Sequence, residues 1–179
     1  MADIQVQGRD SSVLKGLAAG VIGGLVASWV MDEFQIVWFK LAKSMQSQSG
    51  TNETEKKNNE DPATVKAAEM VSEKLFDHQL TKAEKKPAGN AVHYATGGTS
   101  GALYGVAAEL APKVTSAAGI PFGTAVWLAI DEAAVPLFGL AKGPTQYPVS
   151  THAYALASHF VYGMTTECVR RTLRKTVLS

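Results

Sequence analysis

Apolar side chains gather in four long runs, Leu17 to Phe39, Ala91 to Ala111, Ala117 to Leu140 and Ala153 to Val169. Each is close to the ~20 residues with which a helix crosses the hydrocarbon core of a bilayer, so the pattern predicts four spans. The second and fourth runs are diluted with Gly, Ala, Ser, Thr and Tyr, which leaves a soluble four-helix protein as the competing reading. The first helix is predicted from about Val13 to Ala42, with Ser11 and Ser12 as N-cap candidates and residues 1–10 polar and loose. Lys15 ahead of the first run gives the N-terminus the look of a secretory signal. It lacks an Ala-x-Ala cleavage site, however, and the helical pattern continues through Asp32 and Glu33 to Lys43, which predicts a retained span.

Between the first two runs lies a polar insert, residues 44–88. Its first part, SMQSQSGTNETEKKNNEDP, has the composition of a disordered linker. Pro62 then opens a helix over about 63–80, in which Val65, Ala68, Met70, Val71, Leu75 and Leu80 form an apolar stripe. Acidic and basic residues balance on its other face and Phe76 is its one aromatic, so it is expected to pack on the protein's own bundle rather than on lipid. Pro87 and Gly89 are expected to separate insert from second span, Pro112 to end that span, and Gly143, Pro144 and Pro148 to form the loop before the fourth.

Composition sharpens this division. The mean hydropathy is zero, yet residues 44–88 hold 15 of the 33 charged side chains. A net charge of +1 argues against a nucleic-acid binder held by phosphate contacts. The single cysteine, Cys168, makes no internal disulfide and belongs to no zinc-like spacing. Basic residues in ECVRRTLRK after the last run point to a cytoplasmic C-terminus, and four crossings would put the N-terminus on the same side.

The chain also repeats itself. AGVIGGLVASWVMDEFQIVWFKLAK, Ala19 to Lys43, aligns without a gap to AGIPFGTAVWLAIDEAAVPLFGLAK, Ala118 to Lys142, matching Gly20 with Gly119, Gly24 with Gly123, Asp32 with Asp131 and Glu33 with Glu132. YGVAAE at Tyr104 corresponds to YGMTTE at Tyr162. The expected architecture is therefore an all-α, four-span transmembrane bundle forming one membrane domain over 1–179. It is built from a duplicated two-helix hairpin: repeat one is about 13–43 plus 89–111, repeat two about 114–175, and the charged insert 44–88 is an addition to the first.

Small residues recur four apart at Gly97, Gly101 and Gly105, with Gly163 in the equivalent stripe of the fourth run. Together with Gly20, Gly24, Gly119 and Gly123 they predict close helix packing, with the stripes facing the bundle interior. The same stripes carry His93, Glu109, His159 and Glu167. On an ideal helix Asp32 lies about 80° from Gly24 and Glu33 about 180°, so Asp32 and Asp131 are expected inside, with Glu33 and Glu132 against a neighbouring helix, a second subunit or the headgroups. An ionised group at the bilayer centre costs roughly 2.5 to 3.5 kcal/mol, and no Lys or Arg stands mid-span. That leaves His93, His152 and His159 as cationic partners and predicts protonated, hydrated or cation-bound carboxylates.

One functional reading is a proton or cation pathway through Asp32, Asp131, Glu109 and Glu167, with His159 titrating near neutral pH. A di-metal bundle would need Glu-x-x-His on paired helices, which is absent, so no metal or cofactor is expected. No Ser/His or Cys/His nucleophilic centre is evident, which argues against an enzyme. The favoured reading is an accessory or structural subunit that meets the bilayer, other membrane proteins or its own copies, and no nucleic acid. SGALYGVAAELAP, the FG and W of PFGTAVWL, VPLFGL and HFVYGMTTECVRRTLR resemble the YagU-like family of uncharacterised bacterial inner-membrane proteins over roughly His93 to Lys175. The resemblance implies a multi-span inner-membrane protein without an established reaction, a link to acid tolerance, and no active-site residues to carry over.

Overall fold

Residues 2–48 contain no proline, so nothing breaks their i→i−4 ladder, and helix α1 runs uninterrupted over Ala2–Gln48. The computed structural model describes residues 2–48 and 60–178. Residues 49–59, most of the expected linker, lie outside that range. α1 exceeds its predicted bounds at both ends, and Ser12 is no N-cap: its hydroxyl donates to the Glu109 carboxylate at 2.6 Å. At 1.5 Å per residue α1 is about 70 Å long, well beyond the hydrocarbon thickness of a bilayer.

The amphipathic helix α2 spans Ala63–Phe76 and ends four residues before the predicted stop. Asp77, at φ 50°, turns the chain out, and the N–H groups of Asp77 and His78 close on the carbonyls of Glu73 and Ser72. Its buried residues Val65 and Ala68 pack toward α3, while Leu75 and Phe76 stay exposed. Helix α3 occupies Lys82–Leu110 and runs straight through Pro87 and Gly89, where a break was expected. The Glu84 carboxylate accepts from the Thr81 backbone N–H at 2.8 Å and from its hydroxyl at 2.7 Å, which starts the helix early. Pro87 then removes one hydrogen bond from the second turn. Gly89 is filled over by Val65 of α2 and serves packing there.

Pro112 does end α3. The segment Pro112–Gly119 follows, a 3₁₀ turn broken at Ser116, and the chain reverses through left-handed Ala117, Ala118 and Gly119. Helix α4 is composite: Ile120–Trp127 is α-helical, Leu128–Ala134 widens into a π-helix, and Val135–Leu137 completes it. Helix α5 spans Val149–Thr176. α1 packs against both α3 and α5, α4 packs on α5, and α2 on α3.

Glycine sets how closely these helices approach. A Cβ at Gly20 would fall on the carbonyl oxygen of Gly101, one at Gly24 on that of Gly97, and one at Gly105 on that of Gly16. Between α4 and α5, a Cβ at Gly119 would fall on the carbonyl of Gly163 and one at Gly123 on that of His159. The stripes thus face a hairpin partner rather than one common axis. The register also differs: Gly20 sits at Gly101 and Gly105, whereas Gly119 sits at Gly163 and Glu167, the counterparts of Gly105 and Glu109. α4 has slid one helical turn along α5.

Several polar side chains are buried while many large apolar ones are exposed. The largest fully buried side chains are Glu167, Thr166, Ser28 and Ser158. The apolar core is small, Ala27, Met31 and Tyr162 with Phe122 and Val126 against it. Large apolar side chains face outward instead, including Trp29, Val37 and Phe39 on α1 and Leu128, Leu137 and Phe138 on or beside α4. Among the described residues, two helical stretches are long and apolar enough to cross a membrane, Ser11–Ser44 and Pro112–Leu137.

Candidate functional site

A cavity of about 430 Å³ opens where α1, α3, α4 and α5 meet, and the first turns of α2 form part of its wall. Asp32 and Asp131, the matched aspartates of the two sequence copies, both line it. Each has a histidine beside it: His93 Nε2 is 3.2 Å from Asp32 Oδ1, and His159 Nδ1 is 3.7 Å from Asp131 Oδ2. The Tyr94 hydroxyl adds a hydrogen bond to Asp32 at 3.1 Å. His159 Nδ1 already donates to the Ala155 carbonyl at 2.9 Å, which fixes its ring and leaves Asp131 a longer ionic contact.

The two aspartates reach the cavity by different routes. On α1 the backbone is regular, Asp32 is half-buried and Glu33 exposed, as 100° per residue requires. On α4, Pro136 has no N–H with which to reach the Glu132 carbonyl, and the preceding turn opens so that Val135 N–H bonds the Ile130 carbonyl, five residues back. That wider turn holds Asp131 and Glu132 both half-buried. Asp131 turns to the cavity, and Glu132 meets His152 Nδ1 of α5 at 2.6 Å. His152 Nε2 faces the Pro144 carbonyl at 2.9 Å, so both ring nitrogens meet acceptors, an arrangement the imidazolium satisfies.

Glu109 and Glu167, expected in the same polar cluster, lie elsewhere and carry the partners that were thought missing. Arg170 Nε and Nη2 donate to Glu167 at 2.7 and 3.0 Å, Arg171 Nη2 donates at 2.9 Å, and the Tyr104 hydroxyl at 3.0 Å. Arg174 reaches back to Glu109 at 2.7 Å, which also takes the Ser12 hydroxyl. The arginines follow the last apolar run in sequence, where they read as flanking charge; the helical i,i+3 and i,i+4 offsets from Glu167 were the available signal. This cluster ties α1, α3 and α5 together at one end. A single pathway through Asp32, Asp131, Glu109 and Glu167 is therefore not what the geometry assembles.

Among the described residues, no three His, Cys, Asp or Glu side chains are grouped so as to hold a metal ion. The family model described as "Protein of unknown function (DUF1440)" matches residues 54–168. The chain belongs to this family. The DUF1440 match takes in His93, Glu109, Asp131, Glu132, His159 and Glu167; it begins after Asp32 and ends before Arg170, Arg171 and Arg174. No curated protein and no solved structure matches the chain.

Proposed function

We propose that this DUF1440 protein is a non-enzymatic integral protein of the bacterial inner membrane, a four-span bundle from a duplicated hairpin, serving as an accessory subunit to other membrane components. The exposed apolar surface carries this reading: Trp29, Val37, Phe39 and Leu137 face out while Glu167, Thr166, Ser28 and Ser158 are buried. In lipid, such an interior lets hydrogen bonds and close glycine contacts hold helices together where water no longer drives apolar burial. The YagU-like resemblance supports the inner membrane; the basic residues of ECVRRTLRK support a cytoplasmic C-terminus, and four crossings would put the N-terminus on the same side. Detergent extraction of the natively expressed protein after carbonate washing, followed by crosslinking and identification of co-purifying chains, tests both parts. Release by carbonate would end the integral reading; a stable self-contained oligomer without other chains would end the accessory one.

A second reading, proton or cation handling, is favoured by one observation: Asp32 and Asp131 share a cavity, each with a histidine beside it. Proteoliposome ion flux that persists in the Asp32→Asn, Asp131→Asn double variant would exclude these aspartates from it.

A further inference from the structure

The protein treats its interior carboxylates in two ways. Glu109 and Glu167 are held by arginines, which keep their charge at any physiological pH. Asp32 and Asp131 are not: the cavity lining contains no Lys or Arg, and their neighbours are histidines, which can give up a proton. The cavity can therefore present two carboxylates with no fixed positive charge to answer them.

Two buried polar atoms in residues of the lining lack a hydrogen-bond partner. Ser28 Oγ, in a residue only 1 % exposed, lines the cavity without a hydrogen-bond partner. His93 Nε2 is buried and near Asp32 but not aligned for a hydrogen bond with it. Buried polar groups in native proteins are almost always satisfied, so two without a partner beside the aspartates set this region apart from a fully packed core. The lining also carries apolar side chains, among them Met31, Val126 and Ile130. A volume of about 430 Å³ falls within the range of small-molecule sites and exceeds what one bare ion needs. Among the described residues no three-ligand cluster offers a tightly coordinated metal site.

We propose that this cavity binds a small organic monocation, a quaternary or protonated amine with an apolar body, its charge between Asp32 and Asp131 and its body against Val126 and Ile130. The proposal rests on the cation-handling reading and gives it a ligand class. Attraction to two carboxylates in a partly apolar cavity supplies the selectivity for positive charge, and the apolar wall excludes compact, strongly hydrated ions.

The test uses the full chain in lipid nanodiscs and equilibrium dialysis with radiolabelled benzyltrimethylammonium, whose charge does not titrate. Saturable binding of one probe per chain is expected, with competition by tetraethylammonium and none by neopentylbenzene, the neutral carbon isostere. Binding should fall at least tenfold in the Asp32→Asn, Asp131→Asn double variant and stay unchanged in Glu33→Gln, which alters an exposed carboxylate. Ile130→Trp fills the cavity while keeping both aspartates and should also abolish binding, so the result does not depend on how the double variant folds. Absence of saturable binding, competition by neopentylbenzene, or full binding in Ile130→Trp would each overturn the site. Binding without any cation flux in proteoliposomes would keep the site and remove transport, which separates this inference from the reading beneath it.

Discussion

At the level of single residues, the same side-chain type has different consequences depending on what faces it. Glu167 is buried and meets two arginines and a tyrosine hydroxyl, so its ionised form is fully engaged. Removing one partner of a buried pair leaves the other charge unanswered and costs about 3–5 kcal/mol, whereas replacing both by apolar groups of similar volume is often close to neutral. Glu167→Ala should lower unfolding stability in detergent by an amount in that range, and Glu167→Leu with Arg170→Leu by clearly less. Equal losses from the two would show that the cluster's geometry, not its charge balance, carries the stability. Asp32 and Asp131 are more exposed and less completely paired, so their conversion to Asn should affect ligand binding more than stability.

At the level of the element, glycine and proline decide geometry. Gly101 faces the Gly20 carbonyl with no room for a Cβ, so Gly101→Leu must push α1 and α3 apart and should cost about 1–3 kcal/mol or more. Thermal unfolding of that variant beside Leu103→Ala, a change at an exposed position, separates packing from composition. The start of α3 is sensitive to pH. Hydrogen bonds from the Thr81 backbone and hydroxyl hold the Glu84 carboxyl below its usual range. A depressed folded pKa means the stabilisation is present above the ordinary carboxylate pKa and is lost as pH falls through the folded value. Amide exchange in the first turn of α3 should therefore quicken below about pH 4, and Thr81→Ala should blunt that step. A profile unchanged by Thr81→Ala would assign the acid response to another group.

At the level of the whole molecule, the arginine cluster and the cavity divide the bundle into a fastened end and an open chamber that holds two aspartates. The proposed topology is checked by a single cysteine at exposed Val177 in a Cys168→Ser background. An impermeant maleimide should react with it only after the membrane is opened. Labelling in intact spheroplasts would place the C-terminus outside and reverse the expected orientation.

The sequence by itself determined much of the local order. The first and third apolar runs, which form helical stretches of span length, a polar insert with its own short helix, Pro112 as a stop and the small-residue stripes all depend on neighbours within a few turns, and such information is written locally. Asp32 and Asp131 could be singled out because the two copies align. Only tertiary structure decided which helix each stripe faces, because a period of four gives a side and not a partner. It also decided that Glu109 and Glu167 meet arginines: Arg174 is 65 positions from Glu109, and no local pattern pairs them. The one-turn slide of α4 on α5 and the π-turn ahead of Pro136 likewise follow from backbone contacts between helices and from one missing N–H. Those two features bring Asp131 to the cavity wall it shares with Asp32.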